Sequence, residues 1–177
     1  MSKIIVNQIE SSDGTTDVLN SLSAVNVAGA GMGQVLQVVT ATLSDETTCS
    51  AHLSFTDIGL SVNITPSSSS NKILVLININ TVCSGGDHGC QLLRDSTNIG
   101  GGDAEGLRSQ SIIGNGNGSQ FGQVLDTPST TSQITYKVRG KADSGSDPLY
   151  INRSSSDING STTHRCSSSI TAMEIVS

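Results

Sequence analysis

Aromatic residues are almost missing from this chain of 177 residues, which has no Trp, two Tyr and two Phe. Single-stranded nucleic acid is held by stacking on aromatic faces, so no such platform exists. The same shortage weakens a sugar site built on aromatic stacking. Basic residues are also few. Nine Lys and Arg face fifteen Asp and Glu, a formal net charge of −6, and no cluster offers the cationic surface that phosphates require. These two absences predict no nucleic-acid partner. Long apolar runs are absent as well. Nothing approaches the roughly 20 consecutive apolar residues of a membrane-spanning helix, and the N-terminal apolar run is too short for a signal peptide. The expectation is a protein made in a cytoplasm, without a membrane partner.

What is present is Ser, Thr, Asn, Val, Ile and 19 glycines. Strong helix formers are sparse, which favours strands and turns. Length suffices for one ordinary domain that needs no disulfide or metal to fold. The most informative stretch runs from Gly59 to Thr81. Leu60, Val62 and Ile64 alternate with Ser61, Asn63 and Thr65, the period of a strand with one buried face. Pro66 and four serines then break the chain. In the strand that follows, Ile73, Val75, Ile77 and Ile79 line one face, while Leu74 and Leu76 occupy the other. A strand apolar on both faces needs cover on both. One cover is predicted to be a facing sheet and the other a neighbouring copy of the chain.

Residues 1–33 read as an extended arm, with Ile4, Ile5, Val6 and Ile9 as docking residues, a polar break at Ser11–Asp17 and a glycine-rich hinge at Gly29–Gly33. The compact domain is predicted over residues 34–177. Its strands include Val35–Val39, a short one through Leu53 and Phe55, the two described above, Cys90–Arg94, Phe121–Leu125, Ile134–Arg139, Leu149–Asn152 and Ser168–Val176. In the last, Met173 and Ile175 share one face; Ile170, Ala172 and Val176 share the other. Ile134, Tyr136 and Val138 against Thr135, Lys137 and Arg139 give the clearest one-sided alternation. Leu43–Cys49 reads as a polar connection, and Gly100–Gly118 resists assignment. Eight to ten short strands separated by turns predict an antiparallel sandwich or barrel.

Chemistry is hard to find. Cys83, His88 and Cys90, joined by His164 and Cys166, would make a zinc site only at unusually wide spacing. Cys83 and Cys90 could instead close a hairpin disulfide, or all four cysteines could be small buried hydrophobes. Asp103 with Glu105, or Asp143 with Asp147, could pose as a catalytic carboxylate pair, but no Gly-x-Ser-x-Gly elbow and no dinucleotide or phosphate loop is present. The expectation is no enzyme and no cofactor.

Gly59-Leu60-Ser61-Val62-Asn63-Ile64-Thr65-Pro66-Ser67 followed by Asn71-Lys72-Ile73-Leu74-Val75 resembles a signature of virion proteins of tailed phages, marine ones especially. Arg94-Asp95-Ser96-Thr97, Tyr150-Ile151-Asn152 and Ser169-Ile170-Thr171-Ala172-Met173-Glu174-Ile175 are similar to the same group. Ser2-Lys3-Ile4-Ile5-Val6-Asn7-Gln8-Ile9 resembles the N-terminal arms of phage fibre and appendage proteins. The resemblance implies a trimeric jelly roll, like the tumour-necrosis-factor and complement-head domains. It implies a homotrimeric capsid decoration or cement protein on the virion surface, partnered by the major capsid protein or another virion protein, or else a tail-fibre head. Leu74, Leu76 and Met173 would form the trimer interface.

Overall fold

The computed structural model describes residues 33–50, 54–103, 105–143 and 146–177. The predicted arm, with Ile4, Ile5, Val6 and Ile9, and Leu53 of the predicted short strand lie outside them.

Among the described residues, eleven strands form two antiparallel sheets. They are β1 (Val35–Leu43), β2 (Thr47–Cys49), β3 (Thr56–Ile64), β4 (Lys72–Cys83), β5 (His88–Arg94), β6 (Thr97–Ile99), β7 (Ile113–Gly114), β8 (Gly118–Asp126), β9 (Ile134–Ala142), β10 (Leu149–Ile151) and β11 (Ser168–Ile175). In the first sheet β1 pairs β11, β11 pairs β4, and β8 pairs the other edge of β4. In the second, β9 lies between β3 and β5, and β5 carries β6 and β7 in line on its far edge. The chain crosses between sheets after β2, β3, β4, β7, β8 and β9, which gives the jelly-roll order implied by the resemblance.

Two short strands explain why β1 is longer than predicted and why Leu43–Cys49 is not simply a connection. β10 and β11 lie end to end along one edge of β4: Ile151 pairs Thr81, and Ser169 pairs Asn78. They form one strand interrupted by an excursion at 153–167. β1 and β2 follow the same line, with Leu43 opposite Ser168 and Thr47 opposite Ile151. Asn152 sits at the interruption with φ 62°, a left-handed conformation that Asn tolerates better than most residues. Its buried side chain donates to the carbonyls of Leu43 (2.8 Å) and Asp45 (3.0 Å) and accepts from Ser168 Oγ (2.6 Å). One amide thus satisfies two carbonyls at the β1–β2 interruption and holds the Ser168 hydroxyl at the start of β11.

The alternations place the core as expected. Ile58, Leu60, Val62 and Ile64 of β3 and Tyr136 and Val138 of β9 are buried against Ile73, Val75, Ile77 and Ile79 of β4 and Ile170 and Ala172 of β11. The next inward position of β11 holds a charge. Glu174 is fully buried, and Val176 lies past the end of the strand.

Candidate interaction face

Strand register assembles the outer face of the first sheet. Val38 of β1 pairs Met173 of β11, Met173 pairs Leu74 of β4, and Leu74 pairs Leu125 of β8. One apolar row therefore crosses all four strands. Leu76 stands next to it on β4, and Val35 lies opposite Ile175 on the terminal side. Away from that side the face turns polar: Thr40, Thr171 and Gln123 flank Leu76, then Thr42, Ser169, Asn78 and Phe121 form the next row. Leu74, Leu76 and Met173, chosen from sequence, thus lie side by side and are half-buried. Their own fold does not seal them.

Sequence reasoning missed the two ends of the row. Val38, Leu125 and Phe121 are 55%, 55% and 63% exposed, and Val35 and Leu36 are also exposed. The signal was present, since Phe121, Gln123 and Leu125 recur at period 2 on a strand whose other face carries Gly122 and Val124. Five of the seven exposed large hydrophobic residues among the described residues belong to this sheet, so the apolar surface is concentrated rather than scattered. The outer face of the second sheet is different. Lys137, Arg139 and Lys141 project from β9, and Asp57 pairs with Lys137 (3.1 Å) and Arg139 (3.3 Å).

Beneath the apolar row, polar anchors close the terminal end of the sandwich. The inward row reads Gln37, Glu174, Ile73, Asp126 across the same four strands. Glu174 Oε1 accepts from Ser67 N (2.7 Å), Ser67 Oγ (2.7 Å) and Asn71 Nδ2 (2.6 Å), and Oε2 accepts from Gln37 Nε2 (2.6 Å). Burial by itself would raise the carboxyl's pKa, but the donors of Asn71, Gln37 and Ser67 outweigh it and bring it to about 2. At the other edge Asp126 accepts from Arg94 Nη1 (2.9 Å) and from the Tyr136 hydroxyl (2.6 Å), joining β8 of one sheet to β5 and β9 of the other. Burial, then the bond to Asp126, raises the phenol's pKa. These bonds fix the ends of all four strands of the first sheet and so hold the row above in register.

The opposite end carries a polar cleft of about 430 Å³ on the second sheet. Lys141, buried, pairs with Asp143 Oδ1 (2.7 Å) and donates to Ser109 Oγ (2.6 Å). The segment 105–112, illegible in the sequence, folds over this sheet: Gln91 Nε2 donates to the Gln110 carbonyl at 2.9 Å.

Other sequence candidates separate. All four cysteines are free; Cys49, Cys83 and Cys90 are buried and Cys166 is exposed. The Cys83–Cys90 disulfide is therefore not formed: Cys83 Sγ donates to the Gly85 carbonyl (2.8 Å), while Cys90 lies near Cys49; the small-hydrophobe reading holds for the three buried thiols and fails for Cys166. Burial, with Cys49 nearby as a lesser cause, pushes the Cys90 thiol up to about 12. No group of three or more His, Cys, Asp or Glu suited to a metal occurs among the described residues. His88 is buried, with Nε2 2.9 Å from the Gly116 carbonyl, while His164 and Cys166 stand exposed on the 153–167 excursion. Asp143 pairs with Lys141, and the Asp147 carboxylate lies beside Gly85.

No family model and no curated protein matches the chain. Among solved structures it is weakly similar to a chain from the structure of infectious bursal disease virus, Gx strain, with 13% identity and a TM-score of 0.32. The match covers 81% of this chain and spans 37% of that one.

Proposed function

We propose that this protein is a structural component of the exterior of a phage particle, a homotrimeric capsid decoration or cement protein without catalytic activity. The observation that carries this reading is the apolar row Val38, Met173, Leu74, Leu125 on the outer face of an otherwise polar sandwich. Its occupant is a second and third copy of the chain. The row runs from one edge strand to the other, so copies related by rotation can each offer β1 to a neighbour's β8 and close a ring. Covering each such side chain stabilises the assembly by roughly 1.5–3 kcal/mol at full burial, less for Leu74 and Met173, which are already half-buried. The arm, residues 1–33, anchors the trimer on the major capsid protein or another virion protein through Ile4, Ile5, Val6 and Ile9. Three arms per trimer add avidity. A net charge of −6 per chain keeps the free trimer soluble.

Light scattering on the eluting protein tests the assembly. The wild type should have the mass of a trimer, and Leu74→Asp combined with Met173→Asp should elute as a folded monomer. A chain starting at Gly33 should remain trimeric; if it alone associates while the full chain is monomeric, the arm and not another copy covers the face. A monomeric wild type at tens of micromolar, where even weak specific interfaces associate, refutes the assembly. Removing residues 2–10 should leave the trimer intact and abolish capsid binding; full occupancy by the truncated protein refutes the arm's role. The alternative, a tail-fibre or receptor-binding head, is favoured by the polar cleft, which lies at the end of the sandwich away from Gly33 and Ser177.

A further inference from the structure

We propose that the cleft at the loop end of the second sheet binds a neutral polyhydroxylated ligand, a saccharide. This does not rest on the assembly or the virion reading. Glycines form part of its floor. Gly89 of β5 pairs Gly114 of β7 on one side and Lys141 of β9 on the other; a Cβ on Gly114 would come no nearer than 3.8 Å to the His88 carbonyl, so the surface above Gly114 is open. A Cβ on Gly89 would lie 2.6 Å from Ser111 Oγ, so the floor accepts no larger residue without shifting. Residues 107–111 form the far wall and are tied down by the bonds of Lys141 to Ser109 and of Gln91 to Gln110.

The lining decides the ligand class. Two cations, Lys141 and Arg108, meet two carboxylates, Asp87 and Asp143, with Asn115 and serine hydroxyls between them. The formal charges of these four cancel, and Arg108 is further paired with Glu105 (3.2 Å) at the rim, so the cleft offers no surplus cation to an anion. It presents fixed donors and fixed acceptors within about 430 Å³, a volume typical of small-molecule sites. A sugar hydroxyl donates and accepts at once, and a ring of them matches such alternation. The acceptors are held in place. Asp143 is paired to Lys141 at 2.7 Å, and Asp87 accepts from Asn115 Nδ2, whose Oδ1 in turn accepts from His88 N at 3.0 Å. Leu107, fully exposed at the rim, supplies an apolar surface for a ring face where no aromatic residue is available.

Saturation-transfer NMR on the full chain tests the proposal with methyl α-mannoside, methyl α-glucoside, methyl β-galactoside and N-acetylglucosamine, and with glucuronate and inorganic phosphate as charged comparisons. At least one neutral sugar should bind in the millimolar range and more tightly than either anion. Arg108→Ala, which removes an exposed side chain whose partner is Glu105 on the same loop, should weaken it about tenfold, the loss of one charge-assisted hydrogen bond. Asp143→Asn, which removes one negative charge from the cleft, should shift the preference toward glucuronate. Absence of binding by all four neutral sugars, tighter binding of glucuronate or phosphate by the wild type, or unchanged affinity in Arg108→Ala overturns the proposal.

Discussion

Replacing Glu174 by Gln should remove a large share of the stability of this domain while leaving its shape unchanged. The carboxylate is fully buried and accepts four hydrogen bonds from three residues. Gln has the same size but places an NH2 group where donors already converge, so at least one donor loses its partner. The folded carboxyl has a pKa of about 2 against an ordinary 4.5. That difference of about 2.5 units, at 1.36 kcal/mol per unit, is worth about 3 kcal/mol in favour of the charged folded form. Because the folded value is depressed, the contribution is complete above pH 4.5 and is lost as pH falls from there toward 2. Urea titrations of wild type and variant at pH 7, at one fixed protein concentration because an assembly links stability to concentration, should differ by about 3 kcal/mol. Repeated at pH 4 and pH 3, the difference should shrink steadily. In thermal melts the pH 7 gap corresponds to about 6–12 °C for a chain of this length. Equal stability at pH 7 would refute the reasoning. So would a difference that persists unchanged in acid, since a packing defect and not the charge would then be responsible.

Tyr136→Phe removes one of the donors to Asp126 and should destabilise by about 1–2 kcal/mol in the same titration, with Arg94 still neutralising the carboxylate. Asn152→Ala should cost about 2–4 kcal/mol, because it loses three side-chain bonds and strains a left-handed position; Asn152→Gly should recover only the backbone part, read as a smaller loss of melting temperature. Iodoacetamide applied to the native protein should modify Cys166 and spare Cys49, Cys83 and Cys90, with mass spectrometry locating the label. All four should react once urea unfolds the chain.

Two kinds of information separate in this molecule. Alternation of side chains settled which face of each strand turns inward wherever one face was wholly apolar, as in Leu60 to Ile64 and Ile134 to Val138, since burial rewards every second residue locally. The paired presence of Ile73 and Leu74 likewise marked β4 as apolar on both faces from its own residues alone. Glu174 defeated that logic. Its neighbours Ile170 and Ala172 predict an apolar inward position, and only the tertiary approach of Gln37, Ser67 and Asn71, the first and last of these separated from it by 137 and 103 residues, provides donors that make a buried carboxylate stable. The extension of the apolar row to Val38 and Leu125 was decided in the same way, by register between strands far apart in sequence. The covering segment 105–112 has almost no periodicity of its own, and its position follows from hydrogen bonds to Gln91 and Lys141 that no local pattern encodes. Composition and period therefore determined that this chain makes strands and which sides of them are greasy. The sandwich decided which of those sides meet, which polar groups can be hidden between them, and where a cleft is left open, because each of those outcomes depends on partners that only folding brings within reach.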